Sequence, residues 1–480
     1  MSPPNLASLR VEGRKYVRAN VRAQGEVFHD VGLHLKGATG SFRPTDDKPS
    51  LTLDFDRFVS GQNFGGLTKI HLNNSVEDAS YLKEQIGSEL FRGAQIPVPR
   101  AAHARVELNG RPLGFYVLKE GFTESFIARH FKRADGNLYD PEGGHDVDQR
   151  LKRILGRDSE DDQTALKRLA AAAVEPDLRR RWEHLRAALD MDRFLTFMAV
   201  EVMIGHWDGY GLGRNNFRIY HDAAADKIVF LPSGMDQIFS KADLPWKPKL
   251  RGLVARAVME TSEGRQQYAA RFKELFETLF SDERLTNRVN QFLAELRPFL
   301  RTDELGTIRR EAAELCAQIH AREISLRNQM SEPEPAFPDF KHGLAPLNGW
   351  NKVDEPAGGG MQEATTPERK AALHIVAGPK TSASWRTSIR LNPGRYRFRG
   401  EAKANGVSPL PFGENHGARL RVAGRANQSS ELTGTRDWQK LEVDFEVSAT
   451  NTEIVLMCEL RASAGEAWFD QESLVIVRLP

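Results

Sequence analysis

Apolar and polar residues alternate or cluster in short runs near the start of the chain, at Val31 to Leu35, Leu51 to Phe55 and Ile70 to Leu72, with Gly and Pro clusters between them. Such runs bounded by breakers predict an antiparallel sheet. Leu82, Ile86, Leu90 and Phe91 fall on one helical stripe and predict a helix over Ala79 to Gly93. Val106-Glu107-Leu108, then Asn109-Gly110, then Pro112 to Val117 predicts a hairpin, because Asn-Gly suits a type I′ turn. Farther on, Phe194 to Val200 and Val202 to Ile204 make an almost unbroken apolar helix with Asp190 or Asp192 as N-cap. A helix apolar on most faces is buried. Phe217 to Tyr220 and Ile228 to Leu231 then predict a second hairpin around His221 to Lys227.

Composition divides the rest. Ser159 to Leu189 is rich in Ala, Leu, Arg and Glu and predicts a helical insertion, and Leu253 to Met330 carries helical stripes such as Tyr268, Phe272, Leu275 and Phe276. At Ser331 to Pro338 a Pro-rich linker stops the helices. Residues 341 to 480 turn to short strands separated by Gly, Asn and Pro: Ala371 to Val376, Ser384 to Leu391, Gly394 to Ala404, Ala418 to Val422, Gln439 to Val447, Thr452 to Leu460 and Glu472 to Leu479. That spacing predicts a β-sandwich or jelly roll, with Trp438 and Trp468 as large core aromatics.

Charge narrows the partners. A net charge of +2 over 480 residues, without a long basic run, argues against nucleic acid. No apolar run is long enough to span a membrane. Met1-Ser2-Pro3-Pro4 carries no signal peptide, and a chain starting at a mature boundary would look the same. Two cysteines make no disulfide framework.

The chemistry concentrates after the buried helix, in His206-Trp207-Asp208-Gly209-Tyr210, Asn215-Asn216 and, beyond the hairpin, Gly234-Met235-Asp236-Gln237. An Asp on a tight loop, an amide a few residues on and a second Asp after a hairpin are what phosphoryl transfer needs to set a hydroxyl beside a metal-bound triphosphate. Asp208 would orient the acceptor, while Asn215 and Asp236 would hold the metal. In the first lobe, Gly37 to Arg43 is a small-residue loop that reads as a hairpin connection and could also bring N–H groups, with Ser41 and Arg43, against phosphates. Lys48, entering the next strand, is the candidate to neutralise phosphates, with its partner Glu on the helix Ala79 to Gly93, where Glu84 and Glu89 are both available.

These blocks, together with Val31 to Gly37, Ser41 to Arg43, Lys48 to Phe55, Lys69 to Asn74, Gly114 to Glu120 and Gly136 to Tyr139, resemble the CotH kinase family over roughly residues 15 to 330. The resemblance implies an α+β fold: a two-lobed atypical kinase-like domain, with an N-lobe at 1–122 and a mostly helical C-lobe at 123–330. It further implies ATP, Mg²⁺, transfer to Ser or Thr of a protein, and an extracellular or cell-envelope setting. On the family pattern Glu84 is the partner glutamate, Lys48 the lysine with Lys36 and Arg43 in reserve, and backbone around Glu120 to Phe122 the adenine-binding hinge. Two departures stand out: Pro49 replaces a second basic residue, and Gly234 stands where the family commonly has the first Asp of Asp-x-Asp. An inactive kinase-like scaffold and transfer of another group, such as AMP, are the alternatives left open. After a linker at 331–340, residues 341–480 resemble a carbohydrate-binding-module type of jelly roll through Leu391 to Phe398, Arg436 to Leu441 and Ala467 to Asp470. That resemblance implies a polysaccharide partner and a structural Ca²⁺, with Asp470 and Glu401 as its ligands.

Overall fold

Alternation becomes sheet in the computed structural model, which describes residues 1–38, 40–156, 163–332, 336–410, 416–425, 427–448 and 452–480. The chain divides after Glu332 into two units, Met1–Glu332 and Pro333–Pro480. Of the expected linker, residues 333–335 lie outside the described residues, as do Thr39 of the small-residue loop and 159–162 of the helical insertion.

The first unit opens with α1 (Pro3–Val11), β1 (Val17–Ala23), β2 (Glu26–Lys36), β3 (Ser50–Asp54), β4 (Lys69–Asn73), α2 (Lys83–Gly93), β5 (Ala101–Leu108) and β6 (Arg111–Glu120). The strands form one antiparallel sheet in the order β1-β2-β3-β4-β6-β5. Because side chains alternate across a strand, Leu33, Leu35, Leu51, Leu53, Ile70 and Leu72 build an apolar core on one face. The opposite face carries a polar row set by register, His34 opposite Thr52, Thr52 opposite His71 and His71 opposite Lys119. Asn109 and Gly110 both take positive φ, 50° and 82°, as a type I′ turn requires. Helix α2 starts at Lys83, four residues later than its stripe suggests. Tyr81 sits at φ 62°, and the Asp78 carboxylate receives the N–H groups of Ser80 and Lys83, so the preceding turn cannot be helical.

The second lobe follows with α3 (Glu124–His130), β7 (Asn137–Asp140), β8 (Lys152–Leu155), α4 (Thr164–Ala173), α5 (Leu178–Ala188), α6 (Met191–Met203), β9 (Phe217–Asp222), β10 (Lys227–Pro232), α7 (Leu253–Glu260), α8 (Ser262–Leu279), α9 (Asp282–Leu296) and α10 (Thr302–Ser331). Every residue of α6 from Phe194 to Met203 is buried. Its Asp190 N-cap accepts from the Arg193 N–H at 3.2 Å. Arg322 of α10, fully buried, donates to the Val202 and Met203 carbonyls and so satisfies the C-terminal end of α6.

The second unit is a β-sandwich of β11 (Leu344–Pro346), β12 (Asn351–Val353), β13 (Gly360–Thr365), β14 (Ala371–Val376), β15 (Thr381–Leu391), β16 (Gly394–Pro409), β17 (Gly417–Val422), β18 (Gly434–Val447), β19 (Thr452–Asp470) and β20 (Val475–Arg478). Its core tryptophan is Trp385; Trp438 and Trp468, expected in the core, are only half-buried. The expected calcium ligands are differently engaged. Lys370 Nζ lies 2.7 Å from Glu401 and 2.9 Å from Asp470, so an ammonium holds the place between the two carboxylates. Among the described residues no three acidic, His or Cys side chains gather to hold a metal, and no helix is long and apolar enough to cross a membrane. Cys316 and Cys458 are both free.

Candidate active site

The loop after α6 is fixed by what the helix buries. Glu201, wholly inside, accepts the N–H groups of Tyr210 at 2.9 Å and Gly211 at 3.0 Å. A side chain at Gly209 would meet the Glu201 carboxylate at 2.3 Å, so only Gly lets the loop close over it. His206, also buried, joins this loop to the next through Nε2 and the Ser233 carbonyl at 3.1 Å. Burial depresses its pKa to about 4, so the ring is neutral and Nε2–H donates.

Asp208 stands at the centre. Its Oδ2 accepts from Asn215 Nδ2 at 3.0 Å and from Asn216 Nδ2 at 2.8 Å. Burial raises its carboxyl above the ordinary range, against the Asn215 hydrogen bond. Asn216 makes the second of these contacts and also abuts Gly234, where a Cβ would fall 2.5 Å from the Asn216 carboxamide. Gly234 has φ 59°. Both facts explain why this position lacks an Asp: any side chain here would displace Asn216 and strain the backbone. Asp236, two residues on, is pushed up to about 6 by burial and by the nearby Glu84 charge.

Opposite lies the polar face of the first sheet. Lys119 Nζ forms an ion pair with Glu84 Oε1, both side chains buried, and Glu84 Oε2 accepts the Met235 N–H at 2.9 Å. One carboxylate therefore links the sheet, α2 and the loop that carries Asp236. Gly87 makes the approach possible, since a Cβ there would sit 2.7 Å from Met235 Sδ. The lysine paired with the helix glutamate is thus Lys119 and not Lys48. Lys48 instead donates to the Tyr81 hydroxyl at 2.6 Å and lies over the Tyr81 and Tyr116 rings, away from the cleft lining. Glu89, the other helix candidate, pairs with Arg288. Lys36 enters the cleft with Nζ 2.7 Å from Asn73 Oδ1 and, among the described residues, no carboxylate at ion-pairing distance. Burial, reinforced by Lys119, lowers its pKa to about 7.

Asp208, Asn215, Asp236, Gly37, Ser41 and Glu120 all line this one cleft of about 1020 Å³, alongside Lys36, Lys119 and Asn216. Arg43 does not; it folds back onto the Gly40 and Phe42 carbonyls and pairs with Asp47. The loop's own donors are partly used, because the N–H groups of Ser41 and Phe42 both reach Ala38 O. Donors expected at the hinge are spent too: the Glu120 N–H goes to Arg100 O and that of Gly121 to Lys69 O, each at 2.9 Å. The Glu120 side chain, buried, is held by Arg129 and Arg100; burial works to raise its carboxyl and those hydrogen bonds outweigh it, leaving it lowered. Phe122 also lines the cleft there.

The donor set suits a hard divalent cation. Asp236 has no cationic partner at ion-pairing distance among the described residues, Asp208 is held only by amides, and carboxylate and amide oxygens are the ligands such ions take. Lys119, Lys36 and Asn216 are the site residues that sequence reasoning missed or left in reserve. For Lys36 the signal was the polar parity of β2, β3 and β4, whose His34, Lys36, Thr52, His71 and Asn73 share the cleft face.

Glu201 makes the loop pH-sensitive. Burial raises its carboxyl to about 8, against the two backbone hydrogen bonds. A folded pKa above the unfolded one means that the native state holds the proton more tightly, so this contribution is complete at acid pH and is lost as pH rises toward about 8. Urea midpoints measured from pH 5 to 9 should fall with pH in the wild type and fall less steeply in Glu201→Gln.

A family model described as CotH kinase protein matches residues 33–321, and the chain belongs to that family. It is 23% identical over 301 residues to the inner spore coat protein H of Bacillus subtilis (strain 168), covering 57% of this chain and 82% of that one. With invasin CotH3 of Rhizopus delemar it shares 23% identity over 309 residues, covering 58% of this chain and 50% of the invasin, so it spans about half that protein's length. In the C-terminal region the similar solved structures include TmCBM61 in complex with β-1,4-galactotriose, at 16% identity, 30% of this chain, 95% of that chain and a TM-score of 0.21.

Proposed function

We propose that the cleft transfers the γ-phosphoryl group of ATP to a Ser or Thr hydroxyl of a protein. The observation that carries this reading is the placement of Asp208, with its two amides, and Asp236 opposite the Lys119–Glu84 pair in one cleft. The acceptor hydroxyl gives its proton to the Asp208 carboxylate as its oxygen bonds to the γ-phosphorus and the bond to the β–γ bridging oxygen breaks, releasing ADP. Lys119, fixed by Glu84, and Lys36 hold the phosphate charge. Asp236 and Asn216 or Asn215 would hold Mg²⁺, which when bound withdraws charge from the phosphate oxygens. His206 ties the two loops together, and Glu201 fixes the loop that carries Asp208.

Thermal denaturation checks the ligand side of this reading. At a Mg-ATP concentration one hundred times Kd, stabilisation of about 2.7 kcal/mol is expected, and Asp236→Asn should remove most of it. A wild type that gains nothing from Mg-ATP would count against the reading.

A second reading belongs to the second unit. A depression of about 430 Å³ is lined by half-buried Trp468 with Glu368, Lys403, Asn405 and Asp437, an aromatic face beside hydrogen-bonding groups. Polysaccharide is the ligand such a surface takes. A surface setting accords with the invasin relatives.

A further inference from the structure

Resting on the phosphotransfer reading, we propose that the acceptor is an acidic protein segment, gripped by a basic strap that frames Asp208. The strap is Ser240 to Arg251, a stretch with neither helix nor strand. Its two ends are tied to the loop that carries Asp208. At the start the Phe239 N–H donates to Ile204 O, and at the end the Arg251 N–H donates to Gly211 O, each at 2.8 Å. The strap is therefore fixed against the loop that holds the proton-accepting carboxylate.

Its charge is one-sided. Lys241, Lys247, Lys249 and Arg251 stand against a single carboxylate, Asp243, and all four cations are exposed. Lys241 Nζ lies 4.9 Å from the centroid of Trp207, the residue before Asp208, and Lys247 Nζ lies 4.3 Å from that of Trp246. Arg214 adds a cation from the Asp208 loop itself. Among the described residues Lys241, Lys249, Arg251 and Arg214 have no carboxylate at ion-pairing distance. Elsewhere in this unit exposed cations are commonly paired, as Arg10 is with Asp46, Arg105 with Glu304 and Arg168 with Asp226. Lys241, Lys249, Arg251 and Arg214, unpaired on the strap and on the loop that carries Asp208, produce a positive field at this loop, and such a field selects acidic flanks and speeds their encounter. Peptide is favoured over nucleic acid because Asp208 and Asp236 inside the cleft repel a continuous polyanion, whereas a Ser or Thr with acidic neighbours keeps its charge on the strap.

Fluorescence anisotropy on the full chain tests this without requiring catalysis. Three labelled Ser-centred peptides are compared, with flanks of Asp and Glu, of Gly and Ala, and of Lys and Arg. The acidic peptide should bind tightest, weaken with salt, and lose about tenfold in affinity in Lys241→Glu/Lys249→Glu, as two exposed attractions become repulsions. Arg179→Glu, an exposed charge reversal on α5, should change nothing. Equal binding of the three peptides, an equal loss in Arg179→Glu, or displacement by a single-stranded oligonucleotide at lower concentration than by unlabelled acidic peptide would each overturn the proposal. Phosphate transfer to the same peptides separates the two levels. Transfer that favours neutral or basic flanks overturns the acidic strap while leaving the kinase reading intact, and acidic-peptide binding without transfer to any acceptor does the reverse.

Discussion

Asp208→Asn is expected to lower phosphate transfer by about 10²- to 10⁴-fold, the span typical of removing a general base, while Mg-ATP still stabilises the protein. Asn keeps the size of the side chain, and its carbonyl oxygen can still accept from Asn215 and Asn216 as Oδ2 now does at 3.0 and 2.8 Å. The negative charge and the capacity to take a proton are lost. Initial rates should therefore show a fall in kcat with KM for ATP nearly unchanged, the signature of an interaction used in the transition state alone. Equal rates for wild type and Asp208→Asn would remove Asp208 from the chemistry.

The largest loss of stability is expected from Lys119→Met. Glu84 would be left buried without its cation, and breaking one side of a buried pair costs about 3–5 kcal/mol. The damage should reach the Asp236 loop, because Glu84 also receives the Met235 N–H. Urea denaturation measures this directly. In the double variant Lys119→Met/Glu84→Gln much of the stability should return, giving a coupling energy well above that of an exposed pair. Stabilisation by Mg-ATP should not return with it, since the phosphate-facing ammonium is still missing. A single variant as stable as the wild type would contradict the buried clamp.

Local periodicity made much of this fold legible. The runs around Leu33, Leu53 and Ile70, the Asn109-Gly110 turn and the apolar helix ending at Met203 each carry their conformation within a few residues, and the family resemblance joined the blocks in order. That Asp208, Asn215 and Asp236 share one cleft was readable because the buried helix and the β9–β10 hairpin bring their loops together. Lys48 was misleading because its place before a strand says nothing of direction, and Tyr81, 33 residues away, captures its amine. Lys119 depended on β4 pairing with β6 across an intervening helix and strand, a long-range register that local pattern does not encode. Trp438, Trp468 and the Glu401–Asp470 pair depended on which face of the sandwich closes and on Lys370 arriving between two carboxylates from 31 and 100 residues away. Gly234, a departure from the family pattern, becomes intelligible only with Asn216 in place against it.

The most direct test of the central claim is the mass of a protein acceptor after incubation with the full chain, ATP and Mg²⁺. The account predicts a gain of one phosphate group on Ser or Thr with one ADP released per group, absent in Asp208→Asn. A gain of AMP with release of pyrophosphate, or an unmodified acceptor in the presence of bound Mg-ATP, would contradict it.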